Sequence, residues 1–131
     1  MPFPIRILAG GVSVDAELFD TACAREIAAH LPVETTPNEW GDEFYFEIPV
    51  NMAHDHTATA RVHIGDIGYW PPGRALAVFF GPTPLSTGPE PVPAGEVNIV
   101  GRVTGDAGAL RKAKGAHNIR VERLGTKGEK R

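Results

Sequence analysis

Gly65-Asp66-Ile67-Gly68-Tyr69-Trp70-Pro71-Pro72-Gly73-Arg74-Ala75-Leu76-Ala77-Val78-Phe79-Phe80-Gly81 is the most structured stretch of the chain, and the other segments are placed around it. It predicts a strand from Ile67 to Trp70, a corner at Pro71-Pro72-Gly73 and a second strand from Ala75 to Phe80. The two prolines fix φ at about −65° and withdraw two ladder donors, while Gly73 is expected to take the positive φ of a tight reversal. Four of the chain's ten Phe, Trp and Tyr residues fall in these seventeen positions. A hairpin this aromatic buries one face in a core and offers the other to something else.

Upstream, Phe44 to Val50 alternates cleanly. Phe44, Phe46 and Ile48 share one face and read as core, while Glu43, Tyr45 and Glu47 share the other. That second face is either plain solvent surface or the wall of a site. Asn51 to Thr59 is loop, and Arg61 to Ile64 returns to strand. Nearer the N-terminus, Ile5 to Ala9 and Val12 to Asp15 are β-prone runs joined through Gly10-Gly11, a type I′ or II′ hairpin. Asp20 to His30 turns helical, with Asp20 or Thr21 as its cap, and Pro32 stops it. Val33 to Thr36 is strand-like, and Pro37 to Gly41 is a turn with Trp40 at its tip.

Downstream, Gly81 to Glu96 is a long proline-rich loop of the kind that often carries function. Val97 to Val103 is a strand, Asp106 caps a short helix with Leu110 and Ala113 inward, and Asn118 to Leu124 forms the last strand. The count of about eight short strands and two helices predicts a mainly β fold: a closed eight-stranded barrel with the two helices capping its ends. The barrel domain is expected over 1–124, followed by a basic, flexible C-terminal tail over 125–131.

Composition narrows the class. At 131 residues, 42% hydrophobic and 22% charged, the chain suits one soluble globular domain. It holds no apolar run long enough for a membrane helix. Met1-Pro2-Phe3-Pro4 lacks the basic start and apolar core of a signal peptide, so a cytoplasmic location is expected. The net charge of −3 hides an uneven split: residues 111–131 carry eight of the thirteen bases and only two of the sixteen acids. Those bases do not interleave with aromatics on a folded face, so no nucleic-acid partner is expected. The single Cys23, set among alanines, reads as a small buried thiol. In His54-Asp55-His56, two imidazoles at i and i+2 suit a metal on an extended segment or simply a solvated loop. No second cluster supplies further ligands, so neither metal nor cofactor is expected.

Several motifs carry a resemblance. Trp40-Gly41 with Glu43-x-Tyr45-Phe46 and Pro49, the segment Gly65 to Leu76, Phe79-Phe80-Gly81-x-Thr83-Pro84, and Asn98-x-Val100-Gly101-Arg102 together resemble the small bacterial and archaeal cyclophilin-like family of unknown function. The match runs over about residues 5 to 124. Glu17-Leu18-Phe19 resembles the Glu-Leu-Phe of cyclophilins, Ala77 to Phe80 their Gln-Phe-Phe strand, and Val100 to Val103 their Phe-Gly-Lys-Val strand. The resemblance implies the eight-stranded cyclophilin barrel with a ligand cleft on its outer wall and Phe80 as the hydrophobic floor of that cleft.

It does not carry the chemistry with it. Prolyl isomerisation in cyclophilins depends on an arginine in a Phe-His-Arg strand, and here that strand reads Tyr45-Phe46-Glu47. Neither Phe46 nor Glu47 can donate a charged hydrogen bond. The function expected is therefore binding of a small or peptide ligand in an acidic-aromatic cleft formed by Trp40, Glu43, Tyr45 and Phe80, with Tyr69, Trp70 and Thr83 at the rim. No Lys or Arg lies between Arg25 and Arg61, yet Glu34, Glu39, Asp42, Glu43 and Glu47 do. A carboxylate beside a ring favours a cationic or hydrogen-bond-donating ligand. The alternatives are a prolyl isomerase or proline-peptide receptor with altered cleft chemistry, or a homodimer contact through the exposed hairpin. No residue is assigned a catalytic role.

Overall fold

In the computed structural model, which describes residues 2–124, strands β1 (Phe3–Ala9) and β2 (Val12–Leu18) form the N-terminal hairpin. Gly10 and Gly11 both hold positive φ, 53° and 81°, as a two-residue turn matched to strand twist requires. Helix α1 (Ala22–Ala29) follows, and the Thr21 hydroxyl caps it by accepting from Ala24 N at 3.1 Å. The remaining strands are β3 (Val33–Thr35), β4 (Asn38–Glu39), β5 (Glu43–Glu47), β6 (Ala58–Thr59), β7 (Asp66–Trp70), β8 (Ala75–Phe79), β9 (Val97–Val103) and β10 (Ile119–Arg123). A 3-10 turn over Pro71–Gly73 joins β7 to β8, and a 3-10 helix over Ala107–Ala113 precedes β10. The tail expected over 125–131 lies outside the described residues.

The strands form a single antiparallel sheet in the order β3-β10-β1-β2-β9-β7-β8-β5-β4, with β6 added on β9. The fold is mainly β with two helices, but the closed eight-stranded barrel does not form. The nine strands of the continuous path make a curled half-barrel with two ends. Those ends, β3 and β4, are consecutive in the chain and separated only by Thr36-Pro37. They are three and two residues long, and Pro37 has no N–H to give to a ladder. Among the described residues no ladder joins them, so covalent chain spans the gap in place of hydrogen bonds.

Two local expectations are also corrected. Arg61 to Ile64 is not a strand, because side chains capture its backbone: Thr59 Oγ1 accepts from Arg61 N at 3.0 Å and Asp66 Oδ2 from His63 N at 2.8 Å. The ladder forms earlier, where Ala58 and Thr59 pair with Asn98 and Val97. At the proline corner the positive φ falls on Arg74, at 49°, rather than on Gly73. Gly73 is needed for room instead, since a Cβ there would sit 2.7 Å from the Trp70 ring.

Strand alternation sends Ile5, Ile7, Leu18, Phe44, Phe46, Ile67, Leu76 and Val78 inside the curl, where Ile27 of α1 and Leu110 of the 3-10 helix join the same core. The outer face is not uniformly polar, as a solvated antiparallel face would be. Val62, Ala77, Phe79 and Val97 form a second apolar cluster, with Tyr45, Trp70 and Ile99 packed against it. This outer cluster is the foundation of the site. Among the described residues, no helix is long and apolar enough to cross a membrane.

Candidate functional site

A contrast of side-chain size shapes the outer face. β8 places only Ala75 and Ala77 there before Phe79. Ala77 lies opposite Tyr45 on β5 and Gly68 on β7, Ala75 opposite Glu47 and Trp70, and Phe79 opposite Glu43. Small residues along the middle strand and rings on its neighbours leave a trough. Trp40 from the turn before β5, Val97, and the loop residues Pro93, Ala94 and Gly95 complete a cavity of about 230 Å³.

Two devices hold the walls in place. Trp40 N donates to Glu43 O at 3.0 Å, which closes the turn that carries the indole. Gly41 sits in that turn at φ 62°, and a Cβ there would lie 2.8 Å from Pro82 O and Thr83 Cα, so only glycine lets the two backbones meet. The long loop is fastened from within: Thr83 Oγ1 donates to Val92 O at 2.5 Å, and Ser86 Oγ donates to Glu90 O at 2.7 Å. This brace delivers Gly95 to the Trp70 indole, where a Cβ would lie 3.2 Å from Nε1.

The electrostatics single out one group. Glu43 is 7% exposed, and its Oε1 has no hydrogen-bond partner among the described residues. Burial alone pushes its pKa from 4.5 up to about 7. The neighbouring acids are all engaged. Glu34 accepts from Asn118 and Arg120, Glu39 from Gly115 N, and Glu47 from Arg74. Asp42 accepts from Arg111 and Lys114, both at 2.9 Å. Burial raises the Asp42 pKa, but the hydrogen bonds from Lys114 and Arg111 outweigh it and hold the carboxyl below its ordinary value. Among the described residues, the acidic run of the sequence thus leaves Glu43 as the one buried carboxyl with an unpartnered oxygen, in an apolar cavity.

Of the residues singled out in the sequence, the structure brings together Trp40, Glu43, Tyr45 and Trp70. Tyr69, Phe80 and Thr83 lie elsewhere. Tyr69 alternates to the core side, where its hydroxyl donates to Val50 O and accepts from Met52 N at 3.1 Å. Phe80 packs inside the curl against Phe44, with ring centroids 4.9 Å apart. Thr83 is buried in its loop brace. The aromatic wall from β8 is Phe79, one residue earlier than expected. Ala75, Ala77 and Phe79 share a face by simple alternation, and that signal was available in the sequence. In the 54–56 segment, His54 Nε2 lies 3.1 Å from Glu96 O and Asp55 Oδ1 accepts from Thr57 N at 2.8 Å. Among the described residues, no three His, Cys, Asp or Glu side chains gather as a metal cluster.

A curled antiparallel wall packed on a short helix, with its cavity on the outer side of the strands, defines a cyclophilin-like fold. The Cyclophilin-like family matches residues 3–122, and the chain belongs to that family. Among solved structures, it is similar to a hypothetical protein from Archaeoglobus fulgidus, determined in solution. The two share 32% identity and a TM-score of 0.78 over 94% of this chain and 95% of that one. No curated protein matches the chain.

Proposed function

We propose that this cyclophilin-like protein binds a small or peptide ligand in the cavity walled by Trp40, Glu43, Tyr45, Trp70 and Phe79. The observation that carries the reading is Glu43 Oε1, a buried acceptor without a partner among the described residues. Leaving such a group unpaired costs about 1–3 kcal/mol or more, and a strongly perturbed carboxyl lining a cavity marks a candidate binding site. The cavity, at about 230 Å³, falls below the roughly 300 Å³ at which pockets for drug-sized molecules begin. It suits a compact molecule or a single side chain of a peptide.

Efficient prolyl isomerisation is the weaker reading. The cavity lining includes no arginine or lysine to polarise a twisting amide. Arg74, next to Ala75 in sequence, is paired with Glu47 at 3.1 Å on the exposed surface. A cytoplasmic location belongs to the same proposal, supported by the lone unpaired Cys23.

The test is a small-fragment set titrated into isotope-labelled protein. The indole N–H signals of Trp40 and Trp70 are expected to shift together and saturate. Binding that maps to another face, with both indoles unmoved, would overturn the reading. A protease-coupled assay on Xaa-Pro peptides is expected to return the buffer rate.

A further inference from the structure

We propose that the ligand of this cavity is a compact organic ammonium that donates an N–H to the Glu43 carboxyl while Trp40, Tyr45, Trp70 and Phe79 enclose its apolar body. The inference rests on the ligand-site reading above and narrows it to one chemical class. Three features of the cavity argue for it. Glu43 lines the cavity, is nine-tenths buried and has no donor on Oε1 among the described residues, so the complement of its carboxyl is a donor that arrives with the ligand. The lining carries no positive charge, and the bases nearby are committed: Arg74 to Glu47, Arg111 and Lys114 to Asp42. An incoming cation therefore meets no like charge, whereas an anion would face the carboxyl with nothing to balance it. The third feature is the wall itself, lined by four aromatic side chains, a residue type whose ring faces favour a cation over a neutral body of the same shape.

The geometry also separates kinds of cation. A quaternary ammonium would satisfy the rings and leave the carboxyl without a donor, because it has no N–H. A neutral alcohol would bond the carboxyl but gain nothing from the charge, which counts for more in a site stripped of water. A primary, secondary or tertiary ammonium meets both demands. The low cavity volume limits its body to about one small ring or a short branched chain.

An isosteric series tests this on the full chain: benzylamine, N,N-dimethylbenzylamine, benzyltrimethylammonium and benzyl alcohol, each followed through the Trp40 and Trp70 indole signals. Benzylamine and its dimethyl form are expected to bind at least tenfold tighter than the other two, and Glu43→Gln is expected to erase that advantage while leaving the alcohol unchanged. The dimethyl compound controls for bulk, so a weak quaternary ligand beside a strong tertiary one reports the N–H. Equal affinity for amine and alcohol in the wild type overturns the ammonium inference and leaves the cleft reading intact. A quaternary compound that binds as well as the tertiary one overturns the N–H contact. No indole shift with any of the four overturns both readings. The wild-type series alone decides the matter if Glu43→Gln does not fold.

Discussion

Glu43 stands directly across the β5–β8 ladder from Phe79, so the carboxyl of the cavity and one of its ring walls are a cross-strand pair on the outer face of the sheet. Directly opposed side chains have Cβ atoms about 4.5–5.5 Å apart. Trp40 extends the same face from the turn, bonded through its N–H to the carbonyl of Glu43. The carboxyl is buried from water, and no donor among the described residues pairs with its Oε1. That combination, rather than any neighbouring charge, raises its pKa to about 7.

The raised pKa has a stability signature. Between 4.5 and about 7 the folded protein keeps a proton on Glu43 that the unfolded chain has already lost, so stability declines as pH rises through this window and levels off above it. The accumulated loss is about 3 kcal/mol. Glu43→Gln has no such proton to lose. Urea unfolding at pH 4, 6 and 8 is expected to show the variant level with wild type at pH 4 and more stable by up to about 3 kcal/mol at pH 8. Parallel pH profiles for the two proteins would contradict the assignment.

Filling the trough is expected to separate binding from folding. Ala77 lies at its floor between Tyr45 and Gly68, and Ala77→Leu adds three carbons on the cavity side. Affinity for any ligand of the cavity is expected to fall at least tenfold. Overpacking is expected to cost about 1–3 kcal/mol, because Ala77 lines the cavity but is itself buried in the outer apolar cluster. The check is a ligand titration beside a thermal melt; a variant that melts normally and binds normally would place the site elsewhere.

What the sequence made legible follows from range. The β1–β2 hairpin, the Thr21 cap, the proline corner and the core trio of Phe44, Phe46 and Ile48 are set by residues a few positions apart, and all were readable. Barrel closure was not, because it depends on whether β3 and β4 pair across the whole sheet, and their shortness and Pro37 decide against it. The acids of residues 34–47 looked like one negative groove because their partners, Arg74, Arg111, Lys114, Gly115, Asn118 and Arg120, lie 27 to 86 positions away. Phe79 was displaced by Phe80 through a one-residue error of face, which in a strand turns the side chain to the opposite side. Tyr69 was misplaced for a different reason: an aromatic with a hydroxyl suits a site rim and a core anchor equally well until its bonding partners are known.

Those partners make Tyr69 testable. Its hydroxyl serves two backbone groups, Val50 O and Met52 N, from a fully buried position. Tyr69→Phe keeps the ring and strands both groups, which is expected to cost about 1–3 kcal/mol. Because the ring faces the core, ligand affinity is expected to stay within about twofold of wild type. A drop in affinity larger than the drop in stability can explain would return Tyr69 to the site.

The last test concerns the latch between the cavity turn and the C-terminal 3-10 helix. Asp42, whose side chain is 13% exposed, holds Arg111 and Lys114 together, and Gly81 gives it room: a Cβ there would lie 2.8 Å from Arg111 Nη2 and from Asp42 Cβ. With the Asp42 pKa held below its ordinary 3.8, its contribution is complete above that value and is lost as pH falls through the lower, folded one. Arg111 is more than half exposed and Lys114 about a third, so screening keeps the pairs weak. Asp42→Asn is expected to cost about 1 kcal/mol at pH 7, less at 1 M salt, and a shrinking amount as pH falls below 3.8 and wild type protonates Asp42. Urea midpoints under these three conditions check it. A deficit that shrinks with neither acid nor salt would mean that Asp42 acts through packing rather than charge.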